Sequence, residues 1–240
     1  MDSNLLRKFT EGARQLGVRL EEPHLECFKV YARKIMDYGG RANITGCRTP
    51  EDIFLTLFLG SLACLRPASL EDARSLLDLG AGAGIPGIPL KIVFPRLSLV
   101  LLEAREKKAD FLREACGDLG LKNTEVLLGR AEDVGHVPGR RECFERLVAR
   151  AVAPFRVLAE YALPFLAVGG RMVVPLGKEG EHEATGADRA IRLLGGETES
   201  VERILMPCLG KESVLVVVRK VAATDERYPR RAGIPAKRPL

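Results

Sequence analysis

From Ser75 onward the chain alternates two kinds of segment. Short apolar runs rich in β-formers ("SLLDLG", "LSLVLLEA", "TEVLLG", "RLVARAV", "RMVVPLG" and "SVLVVVRKV") are separated by helical stretches such as "REKKADFLREACGDLG" and "EHEATGADRAIRLLGG". Strands that read as unbroken apolar runs are buried on both faces, and strand–helix alternation makes their sheet parallel. The expectation is an α/β fold: a mostly parallel sheet with helices on both faces. Ligands in such sheets bind beyond the carboxyl ends of the strands, where the strand order reverses. The loops that follow the strands are therefore where the chemistry is sought.

Residues 1–69 contain no such alternation. Leu5, Leu6, Phe9, Ala13 and Leu16 fall at helical spacing, and Pro23 suits a first helical turn ahead of Leu25, Phe28, Ala32, Ile35 and Met36. Thr49-Pro50-Glu51-Asp52 has the chemistry of a capped start, followed by Phe54, Leu57, Phe58 and Leu62. The chain divides into an N-terminal helical cap (1–69), a ligand-binding α/β domain (70–222) and a tail rich in Pro, Arg and Lys (223–240).

Charge is unevenly placed. The 240 residues carry a formal net charge of +5. Residues 219–240 hold seven Lys/Arg against two Asp/Glu, which equals that whole excess. A basic tail on a neutral body suits a polyanionic partner such as a nucleic acid, and equally suits a solubilising tail. Six cysteines without a CxxC pair read as reduced thiols rather than a disulfide framework. Three histidines without i, i+4 spacing argue against a metal site. No apolar run reaches the ~18 residues of a membrane span, and the start "MDSNLLRKFT" has no apolar signal region. The expectation is a cytoplasmic monomer without metal or membrane partner.

The loop "LDLGAGAGIPG" (77–87) narrows the ligand. A triphosphate cradle needs Lys-Ser/Thr after its last glycine, and Ile88-Pro89 stands there. Gly82-x-Gly84-x-x-Gly87 does spell the dinucleotide pattern, which keeps that alternative open, but two other features favour a different nucleoside. Asp78, two residues before Gly80, would repel a pyrophosphate but suits the cationic amino group of S-adenosylmethionine. Pro86 and Pro89 remove N–H donors where a pyrophosphate would need them. Gly80, Gly82 and Gly84 then let the backbone pass close beneath the methionine and ribose.

Further acids and bases fall at strand ends. Glu103 closes the second strand, 21 residues after Gly82, where a carboxylate accepts from both ribose hydroxyls. Ala131-Glu132-Asp133 follows the third strand; it either reads an adenine edge or merely starts a helix. The fourth strand ends "ARAVAPF" rather than in the Asn/Asp-Pro-Pro-aromatic sequence that enzymes methylating exocyclic amines use. A ring nitrogen with a free lone pair fits better. Arg150, in the same stretch, should meet a carboxylate or phosphate of a ligand, or else Asp78 or Glu132 in an internal ion pair.

"LDLGAGAGIPGIPLKIVFP", "EAREKKADFLREACGDLGLKNTEVLLGRAED", "ARAVAPF" and the ending "YPRRAGIPAKRPL" together resemble the bacterial small-subunit ribosomal RNA guanine-N7 methyltransferases, the glucose-inhibited division protein B family. Asn43-Ile44-Thr45 fits too, so the resemblance covers about residues 40–240. It implies a Rossmann-like methyltransferase fold with a seven-stranded sheet. It also implies methyl transfer from S-adenosylmethionine to N7 of one guanine in small-subunit (16S) rRNA, free or in the 30S subunit. By motif, the family's cofactor contacts fall on Gly80, Ile85, Ala131, Glu132 and Arg150. The chain departs from the family at Thr56-Leu57 and Gly60-Ser61, where many members carry Arg-His and Asp-Ser, and at Ala81, where Ser or Thr is common.

N7 carries no proton, so no catalytic base is expected; positioning alone can contribute ~7–11 kcal/mol of the barrier. Arg105, Lys107, Lys108, Arg130 and Lys178 are candidates for phosphates around the target, or ordinary surface charges. Arg227, Arg230, Arg231, Lys237 and Arg238 are candidates in the tail, which is expected to be extended; its prolines and Tyr228 alternatively make it a strap against the body. Two rival readings are a methyltransferase of small molecules or proteins and a non-catalytic RNA-binding protein on a vestigial fold.

Overall fold

The structure, a computed structural model, describes residues 2–39, 44–65 and 70–240, so Asn43 lies outside the described residues. The first helices, α1 (Ser3–Gln15) and α2 (Glu22–Tyr38), begin as their sequences dictate: the Asp2 side chain caps α1 and Pro23 sits in the first turn of α2. A π-helical stretch, Asp52–Phe58, runs into α3 (Leu59–Leu62). Thr49 Oγ1 accepts the Asp52 N–H at 3.1 Å and donates to the Asp52 carboxylate at 2.8 Å, the capped start expected there. Phe9, Phe28, Phe54 and Phe58 are fully buried between these helices, with Phe9 edge-on to Phe28 and Phe54 at 5.0 and 5.1 Å.

The sheet is built around β1 (Ser75–Leu79), which pairs in parallel with β2 (Ser98–Glu103) and β4 (Phe144–Ala149). β3 (Thr124–Leu128) continues in parallel beyond β2, and β5 (Leu166–Leu176) beyond β4. β7 (Lys211–Lys220) is antiparallel to β5, and β6 (Gly196–Met206) is antiparallel to β7. The order of the seven strands is β3-β2-β1-β4-β5-β7-β6, reversing between β1 and β4. Between strands lie α4 (Gly87–Val93), α5 (Glu106–Asp118), α6 (Ala131–Val134), α7 (Phe155–Ala162) and α8 (Gly180–Leu193), with α9 (Ile234–Lys237) near the end.

Strand residues divide strictly by parity. Leu76, Leu99, Leu101 and Val148 face the N-terminal helices, α4 and α5; Leu77, Val100, Leu102 and Leu147 face α7 and α8. Both faces are covered, as unbroken apolar strands require. The N-terminal cap thus shares one core with the sheet face it covers. The strand absent from the six apolar runs is β6, "GETESVERILM", an edge strand whose residues are mostly exposed or half-buried.

The tail corrects an expectation: it is docked, not extended. Tyr228 is 6% exposed and joins the core beneath α7. The Arg141 guanidinium donates to the carbonyls of Thr224 (2.7 Å), Asp225 (3.1 Å) and Tyr228 (2.8 Å). Arg230 grips Glu160, which is 1% exposed, through its backbone N–H (2.8 Å), Nε (2.9 Å) and Nη2 (2.6 Å). Carbonyl acceptors and one buried carboxylate add to the few apolar anchors of the tail, Tyr228, Pro229 and Pro235.

Candidate functional site

The carboxyl ends of β1, β2, β3 and β4 bring Asp78, Glu103, the 129–132 segment and Arg150 to the edge where strand order reverses. This is where open α/β sheets bind ligands.

The glycine-rich loop is anchored first. Gly80 and Ala81 donate their N–H groups to the Leu102 carbonyl at 2.8 and 3.0 Å. The fully buried Tyr31, from α2, donates its hydroxyl to the Ala83 carbonyl, so the N-terminal cap holds the loop from beneath. The glycines have separate reasons. A Cβ on Gly84 (φ +78°) would stand 2.4 Å from Ile88 Cδ1 and 2.8 Å from Tyr31 Oη, so this position is closed by packing. A Cβ on Gly82 (φ +58°) would meet nothing nearer than 3.7 Å, with Lys108 Nζ at 3.9 Å. Gly82 therefore opens onto free space beside an ammonium group.

The start of α4 is unsuited to a phosphate. The Gly87 N–H goes to Asp78 Oδ2 at 2.8 Å, the Ile88 N–H to the Gly84 carbonyl at 2.8 Å, and Pro89 has none. Helix N-termini bind anions through unpaired N–H groups, and this first turn offers none at those positions. Asp78 is fully buried; its Oδ1 has no hydrogen-bond partner, and burial pushes its pKa up to about 7, against the lowering effect of the Gly87 N–H. A buried acceptor without a partner is costly, and among the described residues only Asp78 Oδ1 and Thr198 Oγ1 are in that state.

Glu103 is 6% exposed and already accepts from two backbone donors, Gly82 N–H to Oε2 and Arg105 N–H to Oε1, each at 2.9 Å. Each oxygen keeps a second lone pair. Beyond β3, Gly80, Ala131, Glu132, Val152 and Tyr161 line a cavity of about 180 Å³. The Ala131 N–H has no protein acceptor among the described residues. Glu132 Oε1 accepts from Gly233 N–H at 3.0 Å, a contact from the tail. Tyr161 has its pKa raised by burial and then by the Glu132 charge.

Arg150 forms neither internal ion pair considered for it: Asp78 is bonded to Gly87 and Glu132 to Gly233. Its Nη1 donates to the Thr56 carbonyl at 3.3 Å and lies 3.3 Å from where a Cβ on Gly60 would stand. Burial lowers its pKa, and no carboxylate among the described residues forms a salt bridge with it. It borders a second cavity, of about 430 Å³, with Thr56, Gly60, Ala153 and Leu176. Two of the positions where the chain departs from its family, Thr56 and Gly60, thus face Arg150, whereas the Ser61 hydroxyl donates to the Leu57 carbonyl. Ile85 is buried, in a cis bond to Pro86.

Of the basic candidates, Arg105, Lys107, Arg130, Lys178 and Arg231 are exposed and Lys108 is half-buried beside Gly82. Arg230 does not join them, because its guanidinium is held by Glu160 and the Arg238 carbonyl. Tyr31, Glu160 and Tyr161 escaped sequence reasoning: each sits on an apolar helix face and reads as core. Among the described residues no group of three or more His, Cys, Asp or Glu could hold a metal, and no helix is long and apolar enough to cross a membrane.

Residues 24–211 match the family model described as rRNA small subunit methyltransferase G. The chain is 45% identical to "Ribosomal RNA small subunit methyltransferase G" of Pelotomaculum thermopropionicum, over 99% of this chain and 100% of the relative. It is 40% identical to the protein of the same name from Dehalococcoides mccartyi, over 98% and 100% of the two. Among solved structures, a SAM dependent methyltransferase from Aquifex aeolicus shares the fold, with a TM-score of 0.55 at 19% identity over 72% of this chain and 94% of that one. The chain belongs to the rRNA small subunit methyltransferase G family.

Proposed function

We propose that this protein transfers a methyl group from S-adenosylmethionine to N7 of a guanine in small-subunit (16S) rRNA. The observation that carries the cofactor reading is the pairing of an unpartnered buried acceptor, Asp78 Oδ1, with a first helical turn whose N–H groups are engaged at Gly87 and Ile88 and absent at Pro89. Such a site suits a cationic amino group better than a pyrophosphate. The family membership supports the rRNA substrate.

When bound, S-adenosylmethionine supplies an electrophilic methyl group on a sulfonium. Asp78 receives the methionine amino group and Arg150, which lacks a carboxylate partner, its carboxylate. Gly80, Gly82, Gly84 and Ile85 form the floor, and Glu103 accepts from the ribose hydroxyls. The Ala131 N–H and Glu132 carboxylate read the adenine edge. The target base enters by the cavity beside Arg150 at the ends of β4 and β5. Arg105, Lys107, Lys108, Arg130, Lys178 and Arg231 attract rRNA phosphates. No side chain removes a proton, because N7 has none to lose. The protein works as a cytoplasmic monomer, on naked rRNA or the 30S subunit.

The test is incubation with methyl-labelled S-adenosylmethionine and either naked rRNA or 30S subunits, followed by mapping of the label. Label at N7 of one guanine, lost with Gly82→Val, is expected. Absence of label from both substrates, or label on another atom, would overturn the proposal.

A further inference from the structure

The helix that reads adenine in this proposal, α6, has only four residues. A single turn has little stability of its own. Its position is set by the last residues of the chain. Gly233 N–H holds Glu132 Oε1 at 3.0 Å. Pro229 packs on Gly135, the residue that ends α6, so closely that a Cβ there would lie 3.0 Å from Pro229 Cγ. The Pro229 carbonyl is 2.7 Å from His136 Nε2, and Arg141 joins the Gly135 carbonyl (3.1 Å) to that of Tyr228 (2.8 Å).

The other wall of the 180 Å³ cavity is tied to the same strap. Tyr161 lines it, and its neighbour Glu160 is gripped by Arg230. Arg230 in turn donates to the Arg238 carbonyl at 2.8 Å, which fixes the chain on both sides of Gly233. The strap therefore fastens α6 and α7 together across the cavity.

We infer that the C-terminal strap is part of the cofactor site: Arg230 and Gly233 are positioning residues that hold Glu132 in place for the adenine, so docking of the strap and binding of adenosine-containing ligand are coupled. This rests on the cofactor reading above. The strap acts through Glu132 and the placement of α6 and α7. Coupling of this kind is reciprocal. The ligand must hold the strap down by the same factor by which the strap tightens the ligand.

Two measurements test it, with S-adenosylhomocysteine as probe. In the first, calorimetry compares the full chain with a chain ended after Arg231, which keeps the Arg230–Glu160 pair but loses the Gly233 N–H. The Kd is expected to rise ~10-fold or more, the scale of a hydrogen bond to a charged group. In the second, the full chain is digested with trypsin, which cuts after Arg231 and Lys237 once the strap lifts. Saturating ligand is expected to slow release of the C-terminal peptide by the same factor, since opening precedes cleavage. This arm needs no variant and survives a shortened chain that fails to fold. A merely structural strap would lower Tm on shortening while leaving Kd and peptide release indifferent to each other, and that result overturns the inference. A full chain that does not bind the probe at all overturns the cofactor reading itself, and the inference with it.

Discussion

Two loops face each other across the carboxyl edge of the sheet, and they are held by opposite means. The glycine-rich loop rests on apolar packing: Ile88 fills the space beside Gly84, Val152 the space beside Gly80, and Tyr31 rises from a core of phenylalanines to bind the Ala83 carbonyl. The α6 segment and its neighbour α7 are tied to the tail by polar contacts: Arg230 on Glu160, Gly233 on Glu132, and Arg141 on the Gly135 carbonyl and three carbonyls of the tail. Packing is intolerant of added atoms, because interiors are filled to crystal density. Long polar side chains tolerate changes of shape but not the loss of a partner, because a buried charge left alone is expensive. The two walls of one site should therefore fail to different substitutions.

The largest effect is expected at the polar wall. Arg230→Met leaves Glu160 buried without its partner, and should cost about 3 kcal/mol, the low end for a broken buried pair because the guanidinium is 26% exposed. Denaturant unfolding measures it. The double variant Arg230→Met, Glu160→Leu should recover most of the loss; no recovery would mean that the strap is held by something other than this pair.

Next comes the apolar wall. Gly84→Ala drives a methyl group into Ile88 and Tyr31 at a positive φ, and should cost about 2–3 kcal/mol from overpacking and strain together. Gly82→Ala has the same backbone problem without the clash, and should cost about 1 kcal/mol. Equal losses at the two glycines would erase the distinction between a packed face and an open one.

The last effect is spread over several pH units. Burial raises Asp78 from 3.8 to about 7, so the folded protein keeps a proton that the unfolded chain releases. The contribution of Asp78 is fully present below pH ~4 and is lost as pH rises to about 7, by at most about 1.4 kcal/mol per pH unit. Asp78→Asn should remove this slope. A wild-type minus variant difference that is flat from pH 4 to 7 would show that Asp78 is ionised throughout.

The fold was largely legible because its signal is local. Six strands announced themselves as apolar runs, and the turns between them by glycine and proline. β6 was silent because an edge strand beside water needs no apolar face: "GETESVERILM" carries its charges outward. Strand ends also fixed where Asp78, Glu103, Glu132 and Arg150 would gather, since a parallel sheet delivers all its carboxyl ends to one edge. Partners separated by long stretches of chain were not legible. Nothing near Arg230 says that its carboxylate is Glu160, 70 residues earlier, and nothing in α2 says that Tyr31 reaches Ala83. The tail has few apolar groups, and carbonyl oxygens, which are what Arg141 uses, carry no sequence signature.

Chain order is also the order of synthesis. Folding during synthesis proceeds from the N-terminus, so the cap, β1 and the glycine-rich loop are available long before the residues that fasten α6. A nascent chain that has not yet released Arg230 and Gly233 owns every strand of its sheet and still has one wall of the site unlatched. The site thus closes only after its whole sheet has been made.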